Sequence, residues 1–182
     1  TEKEKVLLFF GFVREYKGLK YLIQALPRIT DRCEDVRLFV VGDFGGAENR
    51  EAYERLMEEN GVRSHITICD GYIPDREIEK FFAACDLVVL PYVSATQSGI
   101  VQIAYGFEKP VVVTNVGGLP DVVEDGKTGY VVDPENPTAL ADAVVRYFKE
   151  NREKEFEENV KKEAYRFDWD RMIETVERLN QR

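Results

Sequence analysis

Short apolar runs alternate with amphipathic stretches along most of the chain. Val6–Phe10 (VLLFF) is a continuous apolar run too short for a helix, and it predicts a strand buried on both faces. The next stretch, 18–29, carries apolar residues at 19, 22, 23, 26 and 29, the stripe of a helix packed on one side. The alternation continues. Strands are predicted over 36–41, 66–69, 87–90, 111–113 and 130–132, and helices over 47–60, 75–84, 98–107 and 138–149. Gly61 is placed to close the second helix, and Asp75, after Pro74, to cap the third. Strand and helix in regular alternation imply parallel pairing with right-handed crossovers. The expected fold class is α/β: a doubly wound, Rossmann-like parallel sheet of about six strands with helices on both faces.

In such a sheet a ligand sits at the carboxyl ends of the strands, near the point where strand order reverses. The segments to inspect are therefore 11–18, 42–46, 70–74, 91–99 and 114–120. After residue 150 the pattern changes. NREKEFEENVKKEAYRF is charged with sparse apolar positions, while DWDRMIETVERLNQR carries Trp169, Met172, Ile173, Val176 and Leu179 on one helical stripe. Two parts are expected: a Rossmann-like domain over 1–165 and a C-terminal helix over 166–182.

Composition narrows the function classes. The 182 residues are 44% hydrophobic and 32% charged, a globular composition. No run approaches the ~20 apolar residues of a membrane helix. The opening TEKEKVLLFFGF runs into Arg14, Glu15 and Lys17 rather than a cleavage site, so it reads as a strand and not a signal peptide. A net charge of −9 repels phosphate backbones and argues against nucleic acid as a partner. It leaves room for a single nucleotide held by backbone amides and a local cation. Cys33, Cys69 and Cys85 show neither metal nor redox spacing and suggest reduced, buried thiols in a cytoplasmic protein. The single histidine, His65, has no visible partner and reads as structural.

Three loops can carry chemistry. GFVREYKG sets Arg14 and Lys17 between Gly11 and Gly18, two cations near a helix start and suited to a diphosphate. It is neither a GxGxxG nor a Walker loop, so dinucleotide and ATP-hydrolysis readings lose their main support. PYVSATQSGIVQIAYGFEKP leads small polar residues into a small-residue helix whose first amides form an anion site. Gly117 and Gly118 imply an unusual backbone or a close approach to a ligand. Asp125-Gly126 and Thr128-Gly129 read as plain turns. No paired-carboxylate metal site is present at the strand ends, so no metal is expected.

Taken in order, these stretches resemble the C-terminal domain of the retaining, two-Rossmann-domain (GT-B) glycosyltransferases, the family of sucrose synthases, glycogen synthases and bacterial mannosyltransferases. The resemblance runs over nearly the whole chain, and KPVVVTNVGGLPDVVEDGKTGYVVDPENPTALADAV is its most specific piece. It implies the donor-binding half of an enzyme that moves a hexosyl or mannosyl group from a nucleotide-diphosphate sugar, such as a UDP- or GDP-sugar, with no separate cofactor. Gly11, Lys17 and Gly18 match the diphosphate loop. The family's arginine directly follows the glycine, where this chain has Phe12; Arg14 is the candidate replacement. Tyr72 and Ile73 match the segment whose backbone reads the nucleobase, and Ser98, Gly99 and Ile100 the helix start whose amides meet the phosphates. Many members carry two glutamates about two helical turns apart here. Those positions hold Ala95 and Ile103, with Gln97 and Gln102 as the nearby polar side chains.

The family's acceptor-binding N-terminal Rossmann domain is the implied partner and is absent from this sequence, so the chain by itself is expected to be inactive. A full enzyme of this kind is compatible with peripheral membrane contact. Two other readings stay open: a non-catalytic nucleotide-binding or regulatory module of the same fold, and a flavodoxin-like or dehydrogenase-type domain, for which Asp43 at the end of the second strand is the residual support.

Overall fold

The computed structural model describes residues 4–164; the expected 166–182 helix and its stripe lie outside them. Six parallel strands form one sheet: β1 (Lys5–Phe10), β2 (Val36–Gly42), β3 (Ile66–Asp70), β4 (Leu87–Leu90), β5 (Val111–Thr114) and β6 (Gly129–Val132). Their order across the sheet is β3-β2-β1-β4-β5-β6. Strand order reverses between β1 and β4, which creates the switch-point crevice of a doubly wound sheet. The connecting helices are α1 (Leu19–Thr30), α2 (Ala47–Glu59), α3 (Asp75–Ala84), α4 (Gly99–Gly106), α5 (Leu119–Val122) and α6 (Pro137–Lys149).

Alternation along β1 divides the core in two. Leu7 and Phe9 face a cluster with Leu22 and Leu26 of α1, Met57 of α2 and Val144 of α6. Leu8 and Phe10 face the opposite cluster, with Phe82 of α3, Val101 and Ala104 of α4, and Leu119 of α5. The central strands β4 and β5 are short and wholly buried because both of their faces are covered, as the expected α/β class requires.

The structure departs from the sequence reading at three places, and at a fourth, Gly117, it shows the unusual backbone that is one of its two readings. Charged residues 153–164 form a helix, α7 (Glu153–Ala164). Its few apolar positions suffice: Phe156 joins one core cluster and Val160 the other, so α7 wraps the β6 edge. Asp75 is the first residue of α3 rather than its cap; Pro74 holds that position and no side chain caps the helix. Gly129 lies in β6, where a Cβ would run into the carbonyl oxygen of Val111, so Thr128-Gly129 is not a plain turn. Gly117, at φ 52°, lies against the carbonyl oxygen of Ala95, so its conformation serves chain packing.

Cys33 and Cys85 are buried and Cys69 half-buried; all three are unpaired thiols. His65 Nδ1 lies 3.2 Å from the Val36 carbonyl oxygen, a structural contact. No described helix is long and apolar enough to cross a membrane.

Candidate functional site

A cleft of about 240 Å³ opens over the carboxyl ends of β1, β2 and β3. Phe10, Ile73, Ile78 and Ile100 supply its apolar walls, while Lys17, Asp43 and Asp75 supply its charged groups. It lies where the topology demands, since parallel strands present their carboxyl ends to one crevice.

The loop after β1 is tied down on both sides. Gly11 N–H donates to Val41 O and Val13 N–H to Asp43 O, each at 2.8 Å, which binds the loop to the end of β2. Val93 N–H donates to Tyr16 O at 2.7 Å, which binds it to the segment after β4. Gly18 completes the clamp. It adopts φ 67°, and a side chain there would run into the Pro91 carbonyl oxygen. Only glycine meets both conditions at once.

Lys17 Nζ projects back across this loop to 2.8 Å from where a Gly11 Cβ would lie, and Ile100 Cδ1 reaches 3.9 Å from the same point. The Lys17 ammonium and the start of α4 therefore converge beside Gly11. Among the described residues Lys17 forms no ion pair. Its ammonium lies 5.6 Å from the centroid of the Tyr92 ring. Burial, and secondarily repulsion by Arg14, depress the Lys17 pKa below its ordinary 10.5. A half-buried cation without a counter-ion is a favourable seat for an anion, which restores the lost solvation.

Arg14 is not a cleft-lining residue. Its guanidinium donates to the Val13 carbonyl at 3.0 Å, lies 5.3 Å from the Phe12 ring centroid and packs on Gly45 of the loop after β2. It flanks Lys17 closely enough to repel it.

At the start of α4, Ser98 is the N-cap and its Oγ accepts from Ile100 N–H at 3.3 Å. The cap thus occupies one amide that the resemblance assigns to phosphate. At that length the bond is weak, so an incoming anion competes with it. Gly99 is exposed, with open space around its Cα.

Gln97 and Gln102 are exposed and line no part of the cleft. Gln97 instead lies along Gly118, and Ala95 and Ile103 pack against the apolar cluster beneath α4. Of the expected residues, Gly11, Lys17, Tyr72, Ile73 and Ile100 share the cleft; Arg14, Gly18 and Ser98 frame it; Gln97, Gly99 and Gln102 stand apart.

Several lining residues escaped the sequence reading. Phe12 is 52% exposed at the cleft mouth, beside the expected Tyr72 at 76%, high values for large aromatics. Asp75 and Ile78 enter because α3 begins immediately after the Tyr72–Ile73 segment. Their signal was position alone: they belong to a helix whose first turn faces the crevice. Asp43 Oδ1 accepts from Gly45 N–H at 2.5 Å and shapes the β2 loop.

This sheet order and this crevice define a Rossmann-like α/β domain. The chain belongs to the glycosyl transferases group 1 family, whose model matches residues 4–150. It is 32% identical over 178 residues to an uncharacterized glycosyltransferase of Methanocaldococcus jannaschii, covering 96% of this chain and 44% of that one. The fold superposes on Anabaena HepE in complex with UDP-glucose with a TM-score of 0.84 at 23% identity, covering 98% of this chain and 49% of that one. It also matches the C-terminal domain of a group 1 family glycosyl transferase (LpcC) from Francisella tularensis, with a TM-score of 0.77 at 21% identity, covering 88% and 84%. The chain thus spans less than half of the M. jannaschii relative and corresponds to a C-terminal half-domain.

Proposed function

We propose that this chain is the donor-binding half of a retaining glycosyltransferase, and that its cleft holds the nucleoside diphosphate of a UDP- or GDP-sugar. The observation that carries the reading is the unpaired, half-buried Lys17 ammonium beside Gly11 and Ile100, at the crevice of the sheet. A diphosphate between Lys17 and the start of α4 pairs with the cation and meets the positive end of a helix. Tyr72, Ile73 and Ile78 line the same cleft with apolar surface suited to a base. HepE, the structural neighbour of the same fold, was solved with UDP-glucose.

Donor binding is only part of group transfer. The acceptor must be brought against the anomeric carbon with water excluded, and a single open crevice supplies neither orientation nor closure. The expected partner is a second Rossmann domain carrying the acceptor.

Calorimetry with UDP, GDP and ADP tests the binding half of the proposal. Saturation at ~100 times the dissociation constant should stabilise the fold by about 2.7 kcal/mol. The absence of both heat and a melting shift at millimolar nucleotide would overturn it. Transfer and donor hydrolysis by the 182 residues alone should not exceed buffer, and robust transfer would overturn the half-enzyme reading.

One observation favours a second reading, a nucleotide-binding module without catalysis. Ala95 and Ile103 stand where the family resemblance implies glutamates, and both pack into apolar surroundings. Tight binding of the nucleoside diphosphate with no added affinity for the corresponding sugar nucleotides would favour this module over the enzyme.

A further inference from the structure

Tyr92, directly after β4, is 3% exposed, yet it belongs to neither the cleft wall nor the interior of a secondary-structure element. It is fixed from three directions. Its carbonyl accepts from Thr114 Oγ1 at 2.5 Å, which anchors its backbone to the end of β5. Tyr16 meets its ring edge-on, with centroids 6.4 Å apart. The neighbouring Pro91 carbonyl closes on Gly18. From this held position its two ends reach the two halves of the crevice. Its ring lies under the Lys17 ammonium at 5.6 Å, within the range of a cation–π contact. Its hydroxyl meets Ser98 Oγ at 3.3 Å, and Ser98 Oγ in turn caps α4 at Ile100 N–H.

We propose that Tyr92 is the positioning residue of this site: its ring seats the Lys17 ammonium and its hydroxyl sets the Ser98 cap, so that one buried side chain holds both anion-binding groups at their spacing. The assignment rests on the diphosphate reading above. The two groups come from loops far apart in sequence, the first after β1 and the second after β4, and Tyr92 touches both. An anion site made of one flexible lysine and one helix end gains affinity when neither has to be ordered on binding. The π face supplies a seat that holds the ammonium without neutralising it, where a carboxylate would compete with the ligand. The charged and titratable groups facing this seat are Arg14, which repels Lys17, the Asp43 and Asp75 carboxylates across the cleft, and the phenol of Tyr16 beside the ring.

The test uses the 182-residue chain with UDP and GDP as probes, and follows the Lys17 Cε resonance by NMR between about pH 7 and about pH 10.5 in the free protein. Tyr92→Phe keeps the seat and loses the cap contact. It should weaken both nucleotides about threefold and leave the Lys17 titration in place. Ser98→Ala removes both that contact and the cap at Ile100 N–H, so the double variant should bind as Ser98→Ala does, with no added cost from the lost hydroxyl. Tyr92→Leu removes the π face. It should weaken binding about tenfold or more and move the Lys17 titration to lower pH, since the half-buried ammonium loses its contact with the Tyr92 ring. Additive costs for Tyr92→Phe and Ser98→Ala, or an unmoved Lys17 titration in Tyr92→Leu, would overturn the assignment and leave the diphosphate reading intact. The additivity arm decides the question even where Tyr92→Leu does not fold. A wild-type chain that binds neither nucleotide overturns both.

Discussion

The hydroxyl of Tyr105, in α4, donates to Oγ1 of Thr128 at 2.7 Å, and both residues are 1% exposed. Thr128 Oγ1 also accepts from Glu124 N–H at 2.9 Å. One threonine oxygen thus fastens the helix at the crevice to the turn that leads into β6. Thr128→Val is nearly isosteric but deprives two donors of this acceptor. It should destabilise the domain by about 1–3 kcal/mol, whereas Thr128→Ser, which keeps the oxygen, should cost distinctly less. Urea unfolding of the three chains measures this, and equal costs for Val and Ser would show that methyl packing rather than the oxygen matters.

Lys17 should trade stability for binding. Its pKa is depressed in the folded chain, chiefly by burial and then by Arg14, relative to the ordinary 10.5. Between the depressed value and 10.5 the unfolded chain holds the proton that the folded chain has released, so stability rises with pH across that window. The penalty is therefore fully present at neutral pH. Lys17→Met should be more stable than wild type at pH 7, with the gap closing as pH approaches 10.5. Unfolding at a series of pH values provides the check, and a Met variant less stable at pH 7 would refute it.

The same residue should dominate diphosphate affinity. Lys17→Ala is expected to weaken UDP or GDP binding by roughly 1.5–3 kcal/mol, the range of a hydrogen bond to a charged group. Arg14→Ala should cost less, because Arg14 is held on Gly45 and Phe12 outside the cleft wall. Calorimetry on both variants ranks them; an unchanged affinity in Lys17→Ala would mean that the phosphates lie elsewhere.

Gly18→Ala should be severe. The αL conformation alone costs an L-residue roughly 1–2 kcal/mol, and the methyl also meets the Pro91 carbonyl oxygen. Gly71→Ala is the control: its φ of 115° is also unfavourable, but no atom lies within 4 Å of the new methyl. A larger loss of melting temperature in Gly18→Ala than in Gly71→Ala is the expected ordering.

Nucleotide binding should be indifferent to chelator. Among the described residues no three His, Cys, Asp or Glu side chains gather as a metal site, and the positive charge in the cleft lining is supplied by Lys17. Titrations of UDP with and without EDTA should superimpose; abolition of binding by EDTA would refute the cation-only site.

The strands and helices were legible in the sequence because doubly covered strands must be continuously apolar and their covering helices must carry a stripe. VLLFF and the 19–29 stripe could hardly pack otherwise. The same regularity located the crevice; Lys17 was picked out as a cation in the loop after β1, and Tyr72, Ile73 and Ile100 by the family resemblance. Helix α7 was illegible for the converse reason. Two buried side chains, Phe156 and Val160, secure a helix that is otherwise mostly charged, and two positions set no period. Tertiary structure alone decided the rest. Gly117 and Gly129 are glycines because other strands and loops pass against them, and such closeness has no local trace in the chain. Arg14 turned to Gly45, and Gln97 and Gln102 to solvent, because a side chain's direction follows from its packed neighbours, not its rank in a loop. Tyr92 gave no signal, for its contact with Lys17 exists only once β1 and β4 lie side by side. Periodicity encodes which face of an element is buried; it carries no record of which distant residue that face will meet.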